Sequence, residues 1–101
     1  MYKLVAIYRT PADTAAFDEH YFNTHSPLMG KVPGYDKIEV SKVTRTMMGD
    51  TGLYLMFEMW FSDKDTFRAA PRSPENGAAG ADLMGFAGDL VTVFTTEVIS
   101  D

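Results

Sequence analysis

Cysteine is absent from the 101 residues. That excludes a disulfide scaffold, a thiol nucleophile and cysteine-ligated zinc or iron–sulfur. No apolar run approaches the roughly 18–20 residues that cross a bilayer. The N-terminus also lacks the basic region, long apolar stretch and small-residue cleavage site of a signal peptide. A cytoplasmic protein without membrane contact is therefore expected. Positive charge is scarce: nine Lys+Arg against fourteen Asp+Glu leave a formal −5. An acidic surface repels phosphate backbones, so nucleic acid is not an expected partner. A phosphate-binding Gly-rich loop, a G-x-S-x-G elbow and a dinucleotide fingerprint are missing too. What is there is 46% hydrophobic and 23% charged, enough apolar material for one globular domain over residues 1–101.

Residues 2–9 read as a strand of β-branched and aromatic residues. Thr10-Pro11-Ala12-Asp13 opens a helix, with either Thr10 or Asp13 as the cap. At α-helical spacing its apolar stripe is Phe17, Tyr21, Thr24 and Leu28. Ser26-Pro27 is expected to interrupt it near His25, because a residue before proline avoids the α region. Residues 35–46 form a second strand, polar at alternate positions, and 47–52 a glycine-containing hairpin connection. Residues 53–61 form the third strand. Ser62 and Asp65 make a capping box for a short helix, Ser73-Pro74 opens another, and residues 90–99 are the last strand. Gly77, Gly80, Gly85 and Gly88 in that last helix predict fraying or the close approach of another backbone. The order β-α-β-β-α-β predicts an α+β, ferredoxin-like fold. Its four-stranded antiparallel sheet carries both helices on one face.

The third strand constrains more than the fold. Alternation puts Leu53, Leu55, Phe57, Met59 and Phe61 on one side and Tyr54, Met56, Glu58 and Trp60 on the other. Both sides are largely apolar, yet the helices cover one. A second copy of the chain is the expected cover. Its sheet would pack face to face with this one as a dimeric α+β barrel, able to hold a small hydrophobic ligand between sheet and helices.

Chemistry has few candidates. His20 and His25 are the two histidines. Five residues apart on an α-helix, they point about 140° away from each other, so a shared metal is not expected, and without a carboxylate cluster of metal-ligand spacing no other metal site is expected either. His25 is the better general acid or base. As a residue at a helix end it can equally bond free carbonyls. Glu58, among apolar neighbours, is a second acid candidate or the partner of Lys3, Arg9, Lys37 or Arg45. Tyr8, Tyr21, Tyr54, Trp60, Met56, Phe86 and His20 are candidate ligand-lining residues.

The run Phe17-Asp-Glu-His20-Tyr21-Phe-Asn-Thr-His25-Ser-Pro27-Leu28, then Val32-Pro33-Gly34-Tyr35, resembles the signature of the EthD family. Ser73-Pro74-Glu75 through Ala81-Asp82-Leu83 to Phe86-Ala87 is similar to that family's second motif. The resemblance implies a dimeric α+β barrel. That superfamily includes cofactor-free monooxygenases, polyketide cyclases, dehydratases and chlorite-dismutase-like haem proteins. The EthD name comes from ethyl tert-butyl ether degradation. His25 matches the histidine of the family's H-x-P-L motif and His20 the histidine before the tyrosine. The expected function is that of an enzyme or accessory component acting on a small hydrophobic, oxygenated or aromatic molecule without a tight cofactor. The alternative is a carrier for a hydrophobic metabolite.

Overall fold

The computed structural model describes residues 1–100. Four strands, β1 (Tyr2–Arg9), β2 (Lys37–Lys42), β3 (Leu53–Phe61) and β4 (Val91–Glu97), form one antiparallel sheet in the order β2-β3-β1-β4. One face carries α1 (Thr14–His20), a π-helical turn (Tyr21–His25), α2 (Ser26–Met29), α3 (Lys64–Ala69), a short 3₁₀ turn (Ala70–Arg72) and α4 (Pro74–Ala87). The molecule is two layers thick, 18 Å along its shortest axis, and is the ferredoxin-like fold. No helix among the described residues is long and apolar enough to cross a membrane.

Pairing fixes which side chains meet the helices. Leu4 lies opposite Met59, Ala6 opposite Phe57 and Tyr8 opposite Leu55. These residues form the core with Phe17, Tyr21 and Phe61, and all but Leu4 are buried. The other face carries Val5, Ile7, Met56, Glu58, Trp60 and Phe94. Lys3 donates to Glu58 Oε2 at 3.0 Å, and the ammonium groups of Lys3 and Lys37 sit 5.3 and 4.6 Å from the Trp60 ring. The apolar band on this side therefore has charged stems laid along one edge.

Tyr54 departs from simple alternation. Tyr8 pairs with Leu55 but Arg9 pairs with Leu53, so Tyr54 is the extra residue of a β-bulge. The bulge turns its ring to the helix side, 5.7 Å from Phe17, and its hydroxyl donates to Asp18 Oδ1 at 2.7 Å. Lys42 donates to the other oxygen of Asp18 at 2.8 Å and holds that carboxyl below its ordinary pKa. β2 is shorter than the 35–46 stretch predicted. Beyond Lys42 one ladder-like bond continues it, from Val43 N–H to the Tyr54 carbonyl at 2.8 Å.

The caps are local and simple. Asp13, not Thr10, caps α1 by accepting from Ala16 N–H at 3.0 Å. Thr10 instead donates its hydroxyl to the Gly52 carbonyl at 3.1 Å. Asp63 rather than Ser62 caps α3, accepting from Thr66 N–H at 2.8 Å. Ser73 caps α4 as expected, accepting from Asn76 N–H at 3.1 Å. α4 neither frays nor meets another backbone at Gly77, Gly80 or Gly85: a methyl group at each would touch nothing within 4 Å among the described residues.

Proline 27 does not break the first helical segment. Ser26 keeps right-handed helical angles (φ −59°, ψ −44°), and its N–H reaches back five residues to the Tyr21 carbonyl. Pro27 has no N–H and its ring crowds the carbonyl four residues earlier. The chain accommodates this by widening one turn rather than ending the helix. The wide turn also rephases the segment. Thr24 is exposed and Leu28 half-buried, while Phe17, Tyr21, His25 and Met29, every fourth residue, are buried.

Candidate active site

The wide turn carries His25 inward until 3% of it is exposed. It also overturns the 140° separation expected of the two histidines, which assumed a regular α-helix. Both rings now face Asp82 of α4. His20 Nε2 lies 2.8 Å from Asp82 Oδ1, and His25 Nδ1 lies 3.1 Å from Asp82 Oδ2. A carboxylate can only accept, so His25 Nδ1 carries a proton and donates it. The neutral ring then holds a bare lone pair on Nε2, for which no protein partner occurs among the described residues. Phe86 packs on both imidazoles, with ring centres 4.4 Å from His20 and 5.3 Å from His25. It fixes their planes. The third group, Asp82, was outside the sequence-derived candidates. Its signal was there: a lone acid at mid-helix, one turn from Ala79 and Phe86.

His25 lies in the wall of a cavity of about 380 Å³ between the sheet and α4. Leu4, Ala6, Phe57, Leu83 and Val93 form apolar walls, and Tyr8 joins His25 among the lining residues. His25 and Tyr8 are buried; Pro71 and Thr95, which also line the cavity, are exposed. Val93 is exposed as well, so the cavity is closed behind the histidine and opens along β4 and ahead of α4. Such a volume and lining suit a small, mostly apolar molecule with one or two polar atoms.

Electrostatics favour a neutral base. Burial holds the His25 pKa below its ordinary value; the bond to Asp82 opposes the shift and His20 reinforces it. Burial pushes the hydroxyls of Tyr8 and Tyr21 up, with Tyr21 and Asp82 adding to the effect on Tyr8. Both tyrosines stay protonated donors. A histidine whose folded pKa is depressed stays neutral while the unfolded chain takes up a proton below about pH 6.5. Stability should therefore fall as pH drops through 6.5 toward the folded pKa, by less than about 1.4 kcal/mol per pH unit. Urea denaturation at several pH values should show this limb in the native protein and a flatter one in His25→Gln. Equal slopes would mean His25 titrates normally.

The Tyr21 hydroxyl is buried without a hydrogen-bond partner among the described residues. An orphaned buried hydroxyl costs about 1–3 kcal/mol. Tyr21→Phe is expected to stabilise the fold by about 1 kcal/mol in chemical denaturation. A loss of stability would reveal a partner for that oxygen.

The candidates divide cleanly. His25 and Tyr8 line the cavity, whereas His20, Tyr21 and Phe86 pack around Asp82 and His25 and are outside its lining. Tyr54 is on the same side of the sheet but clamps α1 to β3 and does not line the cavity. Glu58, Met56 and Trp60 are not brought to it at all. Their strand positions alternate with the core residues and place them on the opposite face. Glu58 is paired there with Lys3.

The EthD domain model matches residues 9–89. The chain belongs to the EthD family. A crystal structure of an EthD family protein from Bacillus halodurans c-125 is 44% identical, with a TM-score of 0.90 over 98% of this chain and 99% of that one. An uncharacterized 11.0 kDa protein from the thcB–thcC intergenic region of Rhodococcus erythropolis is 34% identical, covering 96% of this chain and 94% of its own length. A dimeric ferredoxin-like protein of unknown function from Jannaschia sp. CCS1 shares 18% identity at a TM-score of 0.68, covering 97% of this chain and all of that one. At that identity the likeness speaks for the fold alone. In this EthD protein the two motifs are the helices that supply the histidines and Asp82.

Proposed function

We propose that this EthD protein is an enzyme that removes an acidic proton from a small apolar, oxygenated molecule held in the cavity. His25 is the base and Asp82 the group that orients it. The observation that carries this reading is a buried imidazole in the wall of an apolar chamber, with Nδ1 tied to Asp82 and Nε2 without a protein partner among the described residues. Desolvation keeps the base unprotonated near neutral pH. The chamber excludes water from the reacting atoms, and the hydroxyl of Tyr8 can donate to the oxygen on which charge develops. In the step itself a C–H or O–H bond of the ligand breaks, its proton moves to Nε2, and the electron pair stays on the ligand. None of this calls on a bound cofactor.

The apolar open face of the sheet supports a homodimer, and the dimeric fold neighbour is consistent with one. The blind cavity lies on the helix side, so each copy would keep its own.

Hydrogen exchange tests the reading. 2-Tetralone, a compact ketone with acidic α-hydrogens, dissolved with the protein in deuterated buffer, should lose its α-proton NMR signals faster than in buffer alone. The acceleration should vanish in His25→Gln. Saturable binding of 2-tetralone with no acceleration would replace the catalyst with a carrier.

A further inference from the structure

Four positions of α4 line the cavity: Asn76, Ala79, Gly80 and Leu83. They are spaced as one helical stripe. Gly80 is the unusual one. Glycine weakens a helix interior relative to alanine, and nothing in the protein asks for it here. Its backbone is regular helix, and among the described residues a Cβ would meet no atom within 4 Å beyond its own stretch of helix. The space it leaves belongs to the cavity. On the sheet wall of the same chamber Ala6 is also small. The chamber therefore has bare backbone on its α4 wall at Gly80 and a single methyl group on its sheet wall at Ala6.

We propose that Gly80 is a ligand-facing wall that fixes specificity: a flat ring lies directly on the α4 backbone there, with its oxygen directed to His25. This rests on the cavity being the ligand site proposed above, and it adds which ligands fit. A second feature points the same way, since His25, 3% exposed, lines the same chamber and its Nε2 has no protein partner among the described residues. A planar bicyclic molecule can lay its face against bare backbone. A puckered one with the same carbon skeleton cannot make that flat contact.

Calorimetric titration with 2-naphthol and decahydro-2-naphthol separates the possibilities. The native protein should bind 2-naphthol at least tenfold more tightly than its saturated analogue. Gly80→Ala should raise the melting temperature by a few degrees, because alanine is the better helix former, and still weaken 2-naphthol at least tenfold. Gly77→Ala is the control. That glycine is exposed, equally uncrowded and outside the cavity lining, so it should stabilise the helix without changing affinity. Unchanged affinity in Gly80→Ala, with His25→Gln weakened, would overturn the role of Gly80 and leave the base standing. Weakening in Gly80→Ala with His25→Gln unaffected would uphold the wall and sink the base. Equal weakening by both glycine substitutions would assign the effect to helix stiffness and overturn the proposal. Failure of the native protein to bind either alcohol would remove both ideas.

Discussion

His25→Ala is expected to slow α-hydrogen exchange of 2-tetralone by about 10²–10⁴, the usual contribution of a positioned base, while leaving the sheet and the dimer intact. Added imidazole should restore part of the rate, because the substitution opens space beside the cavity. Asp82→Asn separates positioning from structure. Asp82 pulls the His25 pKa up against the effect of burial. Removing its charge should move the acidic limb of the rate profile to lower pH and, because the base is weaker, lower the plateau. A variant that merely loosened the fold would lose rate without moving the limb. His20→Ala should act more mildly, since its ring meets the other oxygen of Asp82 and is 37% exposed at the side chain. A full rate in His25→Ala would remove that residue from the chemistry and leave the cavity without a base.

Sedimentation at micromolar concentration is expected to give a species of about 22 kDa, twice the 11.2 kDa chain. The face opposite the helices exposes Phe94 at 39% and carries Ile7, Met56 and Trp60 beside it. Burying a large apolar side chain is worth about 1.5–3 kcal/mol. The bulge that withdraws Tyr54 and the lysines over Trp60 reduce what this surface gains, leaving its centre around Ile7, Met56 and Phe94 as the dominant contact. Met56→Lys should therefore yield a folded monomer, or one with lowered melting temperature, because it sets an ammonium in the middle of that centre. A native protein that sediments at the mass of one chain would show that the face tolerates water.

Much of the architecture was legible because it is encoded locally. β1 and β3 announce themselves through β-branched and aromatic residues, and Ser73-Pro74 marks the start of α4 through a cap that acts within three residues. The harder features depend on contacts between segments. The side on which Tyr54 emerges is decided by a bulge where β1 passes beneath the loop before β3. There Arg9 pairs with the Asp50 carboxylate and Thr10 N–H bonds the Gly52 carbonyl. Periodicity cannot register such an extra residue. His25 was recognisable as a candidate, but its partner was not. The site joins residues 57 positions apart, and a fixed 100° per residue turned the two histidines away from each other. The same fixed angle places Thr24 and Leu28 on the buried stripe. Pro27 is the available clue: its effect is to loosen the preceding turn rather than to end the helix.

That five-residue turn sets a strict rule on chain length. Surface loops such as 43–52 absorb insertions and deletions at little cost. Here the spacing from Phe17 to Met29 holds four inward positions in line only because one turn contains a surplus residue. Removing a residue between 21 and 25 would let the coil relax to its regular pitch, and the remaining eleven steps of about 100° still bring Phe17 and Met29 to one side. A gap elsewhere in the segment, with the wide turn kept, would swing everything beyond it by about 100° and take Met29 out of the core. The wide turn is thus the place in this stretch where a single-residue gap is absorbed.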